Sequence, residues 1–360
     1  KVPSLFDSGV GALGYESHSM SGVNVTIIGT ASDGLNVPRD LAMNPDVHGE
    51  LFVVNRADDS ATIFSAVGTE DQTSRHVIDP FAQHFMEEVS SIAFGAHLHG
   101  DGEYPNFSTC HESRNTYNGT YVGDDFMGPT LWTSDPDIFG FSNPEAIEYL
   151  SSLPGVPDGT VMDLGSHIDM LHESPLCMGV AWEEENIYWV FDGLNGSIDR
   201  VDFAADHGVG YDDHSDGIIT QYIKGEVERL PDVPSHLEYE PTTGLLYIAD
   251  TGNNAIKVLD TTSGTLGAEL DVMEEGTTHH NQDDVTFWTL IEGSDHGMVS
   301  PSGLAIVQGH LIITDHGTGI IHAFDMDGQP VDWLDTELGE GALMGICGER
   351  LSELWFVNAR

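Results

Sequence analysis

The chain has 360 residues, and its 60 acidic side chains outnumber its 11 lysines and arginines, which gives a formal net charge of −49. An acidic excess of this size repels nucleic acids and anionic membrane surfaces. Because 39% of the residues are apolar, the chain can form a real core and is not a disordered polyanion. No apolar run reaches the length that spans a bilayer. We therefore expect a soluble globular protein that binds neither nucleic acid nor lipid.

A strand pattern recurs along the chain. Each copy has a short apolar strand, a turn, a second strand rich in Val, Ile, Tyr, Phe and Trp, a turn with Asn, Asp or Gly, and a third strand. Such copies begin near residues 37, 89, 176, 233, 300 and 343. Further strands at 220–223, 285–291 and 330–334 read as the outer strands of their copies. Internal repetition at this spacing is typical of repeat architectures.

Six repeats of four antiparallel strands predict an all-β, six-bladed β-propeller, because radial repetition leaves only short, protected sheet edges. We expect one domain over residues 1–360, with an insertion at about 95–128. Within that region, 106–115 reads as a second strand with its turn, and 129–133 as a third strand.

The most regular copy, PSHLEYEPTTGLLYIADTGNNAI at 234–256, resembles an NHL repeat. The resemblance extends with varying strength over nearly the whole chain and implies a six-bladed propeller. It says little about function, because NHL propellers serve as lyases, signalling domains and interaction platforms.

The two ends of the chain suggest how the ring closes. The last copy stops after its second strand, at 354–360, while residues 24–29 read as an outer strand with no blade of its own. We therefore expect the N-terminal segment to complete the last blade. A continuation beyond the C-terminal residue is the alternative.

Histidines and carboxylates concentrate on the loops that a propeller gathers at one mouth of its channel. His84, His167, His172 and His296 precede inner strands. Convergent imidazoles with compensating carboxylates predict a Zn²⁺ or other transition-metal site. The preferred ligands are His111, His172, His236 and His316.

Other residues in the same register are expected to line the channel or contact a ligand. They are Arg39, Arg56, Met178, Asp192, Asp250, Asp315 and Met344. Alternatively, the aspartates cap their own turns through backbone N–H groups, and the methionines merely fill the channel. Arg39 could bind an anion or carboxylate at the mouth.

A second candidate site is the loop 206–217, which contains four carboxylates and several glycines. Oxygen-rich loops hold Ca²⁺, although this spacing does not match an EF-hand. The predicted calcium ligands are Asp206, Asp212, Asp213 and Asp216; a solvated acidic loop is the alternative.

The composition favours a secreted protein of a marine or saline setting. Only three lysines are present, and carboxylate-rich surfaces keep proteins dispersed in concentrated salt. Three widely spaced cysteines allow one disulfide with a free thiol, or three thiols. Asn-x-Ser/Thr triplets mark glycosylation candidates at Asn24, Asn106, Asn118 and Asn195.

Among propellers with NHL repeats, the peptidyl-hydroxyglycine lyases offer an enzymatic comparison. They carry a zinc-binding His directly after Pro at the start of several inner strands. The matching residues here are Arg39, Ser235 and Ser302, with His236 one place late. A one-residue shift along a strand turns a side chain to the opposite face, so the same lyase site is not expected.

Three functions fit these patterns. The first is a secreted, metal-stabilised propeller that binds a small molecule, peptide or protein partner at the channel mouth. The second is a metal-dependent lyase or hydrolase with a His-rich site there. The third is a component of an extracellular assembly, in which molecules associate at high salt or through Ca²⁺.

Overall fold

A computed structural model describes residues 13, 17–100, 102–117, 119 and 121–360. The fold is an all-β propeller. The first blade contains β1 (Pro38–Met43), β2 (Leu51–Asn55), β3 (Ser60–Ser65) and β4 (Thr73–Ile78). The second contains β5 (Val89–Phe94), β6 (Asn106–His111), β7 (Thr130–Thr133) and β8 (Asp169–Met170). The third contains β9 (Cys177–Glu184), β10 (Ile187–Asp192), β11 (Ser197–Asp202) and β12 (Ile218–Tyr222).

The remaining strands form two more blades and a hairpin. The fourth blade contains β13 (Leu237–Glu240), β14 (Leu245–Asp250), β15 (Ala255–Asp260) and β18 (Thr286–Glu292), and its chain also supplies β16 (Thr265–Glu269) and β17 (Thr278–Asp283). The fifth contains β19 (Pro301–Val307), β20 (His310–Asp315), β21 (Ile320–Asp325) and β22 (Pro330–Asp335). The hairpin consists of β23 (Leu343–Arg350) and β24 (Glu353–Asn358). The α-helices are α1 (Ala82–Phe85) and α2 (Pro144–Ser151). No helix within the described residues is long and apolar enough to cross a membrane.

The second strand of each complete blade is buried along most of its length because both of its faces are covered. Residues 187–192, for example, read IYWVFD, and all six are buried. Neighbouring blades supply the covering side chains. Phe52 of the first blade packs edge-on against Phe107 of the second, with ring centroids 5.5 Å apart. The core therefore lies between blades, which fits the continuous apolar runs that mark these strands in the sequence.

The innermost strands close a ring in the order β1, β5, β9, β13, β19, β23 and back to β1. Glycines allow some of them to approach closely. A Cβ at Gly179 of β9 would lie 2.0 Å from the carbonyl oxygen of Ser235, and one at Gly303 of β19 would lie 2.3 Å from that of Met344. Contacts this short exclude any side chain, so these glycines set the packing of the ring.

The prediction of six four-stranded blades is wrong, because within the described residues the structure has five complete blades and a two-stranded hairpin. The predicted N-terminal outer strand is also absent: residues 24–29 form no ladder with β24. The backbone of this segment is held elsewhere. Ser19 bridges to Asp335 at the end of β22, and Gln72 of the first blade donates to the carbonyl oxygen of Ile28. The segment thus packs beside the hairpin without extending its sheet.

The third sheet is larger than the repeat predicts. Strand β17, from the chain of the fourth blade, pairs in parallel with β12, and β16 pairs with β17. The third sheet consequently has six strands. A further segment, 134–168 with α2, separates β7 from β8 and lies outside the predicted insertion at 95–128.

A disulfide between Cys110 of β6 and Cys177 of β9 joins the second and third blades. Their Cα atoms are 5.2 Å apart, and 67 residues separate them in sequence. Cys347 of β23 is a free thiol. Of the two arrangements that the sequence allowed, the structure therefore has one disulfide and one thiol.

Candidate metal centre

Four histidines gather at the junction of the second and third blades. His84 belongs to α1, His167 precedes β8, His172 follows β8, and His214 lies in the connection between β11 and β12. The ring centroids of His84 and His172 are 5.7 Å apart, those of His172 and His214 are 5.6 Å apart, and those of His167 and His214 are 5.4 Å apart. All four side chains are buried. We call these residues the four-histidine cluster.

Each ring of this cluster uses its Nδ1 atom to contact an oxygen. The partners are Asn115 Oδ1 at 2.9 Å for His84, the Leu164 carbonyl at 2.9 Å for His167, Glu274 Oε2 at 2.6 Å for His172 and Asp169 Oδ1 at 2.7 Å for His214. Because these oxygens accept hydrogen bonds, each Nδ1 carries the proton. The lone pair of each neutral ring therefore lies on Nε2.

Burial controls the charge of the cluster. It lowers the pKa of His84, and it lowers the pKa values of His167 and His172 well below the usual value, so these three rings are neutral near pH 7. Burial also lowers the pKa of His214, but the hydrogen bond and charge of Asp169 outweigh it, and the net shift is upward. Neutral rings are the form that binds metal ions.

A compact group of metal-binding side chains lies beside the cluster. One ligand atom each from Asp169, His207 and Asp216 lies within 4.8 Å of the others, and within the described ranges this is the one group of three or more His, Cys, Asp or Glu residues so arranged. His207 Nε2 is 2.8 Å from Asp216 Oδ1. Asp169 Oδ2 is buried and has no hydrogen-bond partner among the described residues. We call these three residues the Asp–His–Asp group.

The predicted transition-metal ligands lie in three places. His172 belongs to the four-histidine cluster, and burial, together with the nearby His84, lowers the pKa of His111 to about 3. His236 lies in the central channel, 3.5 Å from Asp40 Oδ1. His316 contacts the Leu343 carbonyl through Nδ1 at 3.0 Å. Whether any of them binds a metal stays a prediction, but the four do not form one group within 4.8 Å.

The predicted calcium ligands have separate partners. Asp206 contacts His99 Nδ1 at 2.7 Å, and Asp213 accepts a hydrogen bond from the Ser215 hydroxyl at 2.8 Å. Asp212 is exposed, whereas Asp216 joins the Asp–His–Asp group. The loop therefore contributes His207 and Asp216 to the Asp–His–Asp group, and Asp169 comes from β8.

The aspartates predicted to line the channel are buried and accept hydrogen bonds from backbone N–H groups, either of their own turn or of the preceding connection. Asp192 accepts from the Leu194 and Asn195 amides at 2.8 and 2.9 Å, Asp250 from the Glu228 amide at 2.8 Å, and Asp315 from the Ser300 amide at 2.6 Å. Met178 and Met344 are buried in the hydrophobic clusters. Whether any of these five side chains contacts a ligand stays a prediction.

Arg56, directly after β2, lies in an ion-pair network, and Arg39 of β1 lies near it. Arg56 Nη2 is 3.2 Å from Glu88 Oε1 and 3.0 Å from Asp232 Oδ1, and Glu112 pairs with Arg229. Arg39 is buried, and its Nε has no hydrogen-bond partner in the described part of the chain. Burial, with the charge of Arg56, lowers the pKa of Arg39.

The central channel contains a cavity of about 300 Å³. Asp40, His236, Glu238 and Cys347 line it together with apolar and aromatic side chains such as Trp182. Asp40 accepts hydrogen bonds from the Ser91 hydroxyl at 2.8 Å and the Ile92 amide at 2.9 Å. Burial and the charge of Asp40 raise the pKa of Glu238 to about 8. The cavity thus offers a carboxylic acid beside a fixed carboxylate acceptor.

The glycosylation candidates differ in accessibility. Asn24 is exposed, and Asn195 is partly exposed and donates to Asp192 Oδ2 at 2.6 Å. Asn106 is buried in β6, where a glycan has no room. Asn118 lies outside the described residues.

Sequence reasoning missed Asp169, His207 and His214 as candidate ligands. Asp169 directly follows the long connection 134–168, and His214 lies within the connection 203–217. Neither connection has the repeat pattern. His84 and His167 were recognised as loop histidines without being assigned to a site. The useful signal is the local density of His and Asp around 206–216, which includes His207 and Asp216.

No protein-family model matches the chain, and no curated protein matches it. Among solved structures, it is similar to an auxiliary nutrient binding protein from Bacteroides thetaiotaomicron VPI-5482, at 12% identity and a TM-score of 0.53 over 91% of this chain and 67% of that chain. It is also similar to a luciferin-regenerating enzyme, at 12% identity and a TM-score of 0.52 over 92% of this chain and 88% of that chain. At these identities the likeness supports the β-propeller fold alone.

Proposed function

We propose that this protein is a metal-stabilised, NHL-type ligand-binding propeller whose divalent metal ion binds the Asp–His–Asp group. The observation that carries this proposal is the placement of ligand atoms from Asp169, His207 and Asp216 within 4.8 Å of one another. Two carboxylates neutralise a divalent charge, and one imidazole makes the set a mixed nitrogen and oxygen site, which suits Zn²⁺ or Mn²⁺ better than Ca²⁺.

The surroundings of Asp169 support the same assignment. Its Oδ1 is bound by His214, while its buried Oδ2 has no partner among the described residues. A buried carboxylate oxygen without a partner is unfavourable, and a metal ion would satisfy it. The His214 ring would then hold the carboxylate in position through its hydrogen bond to Oδ1, as the hydrogen-bond partners of metal ligands do.

A metal ion at this junction would act together with the disulfide. Both tie the second blade to the third: Asp169 lies in β8, and His207 and Asp216 lie in the connection that leads to β12. The disulfide is typical of oxidising compartments, and this supports the proposal that the protein is extracellular. The central cavity of about 300 Å³ is the proposed site for a small polar ligand.

The test of the metal site compares two aspartates of the same loop. Equilibrium dialysis with Zn²⁺ or Mn²⁺, in high salt and excess Ca²⁺ to suppress weak surface binding, should show tight binding to the wild type. Asp216→Asn should bind one ion fewer than the wild type, whereas Asp212→Asn, at an exposed position of that loop, should bind as many ions as the wild type. A free ion concentration one hundred times the Kd should stabilise the wild type by about 2.7 kcal/mol. Equal binding by all three proteins would refute the assignment.

A second candidate function is metal-dependent hydrolysis or elimination. The Asp–His–Asp group offers three protein ligands, and Asp216 is exposed, so a bound ion could keep a position for water. Assays of ester, phosphoester and hydroxyglycine substrates with and without the ion distinguish this role from stabilisation. A stabilising ion changes the melting temperature without giving any turnover.

A further inference from the structure

The Asp–His–Asp group does not account for the four-histidine cluster. Nε2 of His167 and Nε2 of His172 are buried, and neither has a hydrogen-bond partner in the described residues. A buried polar atom without a partner is unfavourable, and two at one junction call for a common explanation. In this cluster the Nδ1 atoms are already bound by oxygens, so only Nε2 is left to bind a ligand.

The chemistry of each ring is that of a metal-binding histidine. Such residues bind the ion through one nitrogen and give the other N–H to a carboxylate or carbonyl, which fixes the tautomer and the ring orientation. His172 gives its Nδ1–H to Glu274, His214 to Asp169, and His167 to the Leu164 carbonyl. His84 completes the pattern with the side-chain oxygen of Asn115.

Three of the six ring pairs in the cluster have nearly the spacing that a shared tetrahedral ion imposes. An ion that holds two imidazoles through Nε2 at about 2.0 Å, at a tetrahedral angle, places their centroids about 5.3 Å apart. The neighbouring centroids of the cluster are 5.4, 5.6 and 5.7 Å apart. No three of the donor nitrogens lie within 4.8 Å of one another, so an ion would have to draw the rings together.

Aromatic side chains pack against two rings of the cluster and help to exclude water. Phe126 stacks on His172 with centroids 3.7 Å apart, and Phe85 stacks on His167 at 3.6 Å. Two rings of the cluster are therefore held between an aromatic side chain and an oxygen acceptor. A site with four protein ligands and no access for water is typical of structural metal centres.

We propose that His84, His167, His172 and His214 form a second metal site, distinct from the Asp–His–Asp group, that binds a borderline transition-metal ion such as Zn²⁺. Four nitrogen donors select against Ca²⁺ and Mg²⁺, which prefer oxygen. The carboxylates of Asp169 and Glu274, which accept hydrogen bonds from Nδ1 of His214 and His172, compensate the charge of the ion. This site extends the proposed function and does not depend on it, because the two sites share no ligand.

The experiment separates the sites by substitution and by ligand type. In Asp216→Asn the carboxylate-containing site is removed, and X-ray absorption of the protein loaded with Zn²⁺ should show three or four imidazoles at about 2.0 Å. The double variant His167→Asn with His172→Asn keeps a hydrogen-bond donor in place of each Nδ1, because the asparagine amide nitrogen can still donate, but it lacks both Nε2 atoms. Its zinc content should fall from two ions per chain to one. His48→Asn, at an exposed histidine, is the matched control and should keep both ions.

Each result decides the proposal. Zinc in Asp216→Asn surrounded by imidazole supports it, as does the loss of one ion from the double variant. A wild type that binds a single ion, which Asp216→Asn abolishes, would overturn it while leaving the Asp–His–Asp site intact. An absorption spectrum of Asp216→Asn dominated by oxygen ligands would also overturn it, and this readout is independent of whether the histidine variants fold.

Discussion

His214 Nδ1 lies 2.7 Å from Asp169 Oδ1, and this contact joins the four-histidine cluster to the Asp–His–Asp group. Both side chains are almost fully buried, with side-chain exposures of 2% and 1%. The carboxylate therefore serves two neighbours, since one oxygen accepts from an imidazole and the other faces the candidate ion site. The junction of the second and third blades depends chemically on this pair.

Replacing Asp169 by Asn should weaken metal binding at the Asp–His–Asp group by more than about tenfold, because an amide lacks the charge that attracts the ion. The same change should lower the pKa of His214, since Asp169 is what raises it. Competition with a chromogenic chelator measures the affinity, and NMR titration measures the pKa. Asp71→Asn, at an exposed position, should change neither quantity; unchanged affinity in Asp169→Asn would contradict the assignment.

Removal of the disulfide should destabilise the protein by about 2 to 4 kcal/mol, because the bond closes a long loop in the unfolded chain. The double variant Cys110→Ser with Cys177→Ser tests this by urea unfolding. Cys347→Ser, which removes the free thiol, is the control and should change the free energy of unfolding by less than about 1 kcal/mol. Equal stability of the double variant and the wild type would mean that the bond adds nothing to the folded state.

Glu238 should make stability fall as the pH rises. Burial raises the pKa of this carboxyl in the folded protein to about 8, well above the value of about 4.3 in an unfolded chain. The folded state thus holds a proton that the unfolded chain releases, and the stabilisation is complete below about pH 4 and is lost as the pH rises through 8. Asp40, His236 and Cys347 face the same cavity, so the comparison must be made with a variant.

In Glu238→Gln the side chain stays neutral at every pH. The free energy of unfolding of the wild type should drop relative to this variant by on the order of 1 to 3 kcal/mol between pH 6 and pH 9. Glu226→Gln, at an exposed position, should follow the wild type throughout. Parallel pH profiles for the wild type and Glu238→Gln would show that the carboxyl ionises normally.

Gly179→Ala should destabilise the inner ring by at least about 2 kcal/mol, because the new Cβ would meet the Ser235 carbonyl oxygen at 2.0 Å. Gly309→Ala is the control, because φ is 76° there but nothing lies within 4 Å of the added carbon. This variant should lose only about 1 kcal/mol, which is the cost of placing alanine in the left-handed backbone region. Thermal unfolding of both variants gives the comparison. A smaller loss for Gly179→Ala than for the control would show that the ring has room at this point.

The strands of the repeats could be predicted because apolar runs and turn residues recur along the chain in a regular order. Runs such as 187–192 and 245–250 are apolar enough to be buried on both faces, and Gly, Asn and Asp mark the turns between them. The outer strands β12, β18 and β22 also lie where the pattern places them. The predicted closure failed because 24–29 has strand-like residues whose neighbours are tied to other blades, which no local pattern reveals.

The candidate site was harder to predict because its residues come from three connections of irregular length. His172 could be named in advance, since it precedes an inner strand where propellers gather functional residues. His214 and Asp169 could not, because their contact depends on how the long 203–217 connection folds against β8. The polar strand β17, which brings the chain of Glu274 to this junction, has no apolar alternation that would reveal it.

The parallel pairing of β17 with β12 has a mechanical consequence. Strand β17 covers the outer edge of β12 but belongs, along the chain, to the fourth blade. Neither sheet can therefore separate from the ring without breaking this pairing. Amide hydrogens of β12 should exchange with solvent at the pace of those in β15, as parts of one cooperative unit. A protease cut within 270–277 would leave β17 joined to β18 along the chain and paired with β12, so the two sheets should stay coupled.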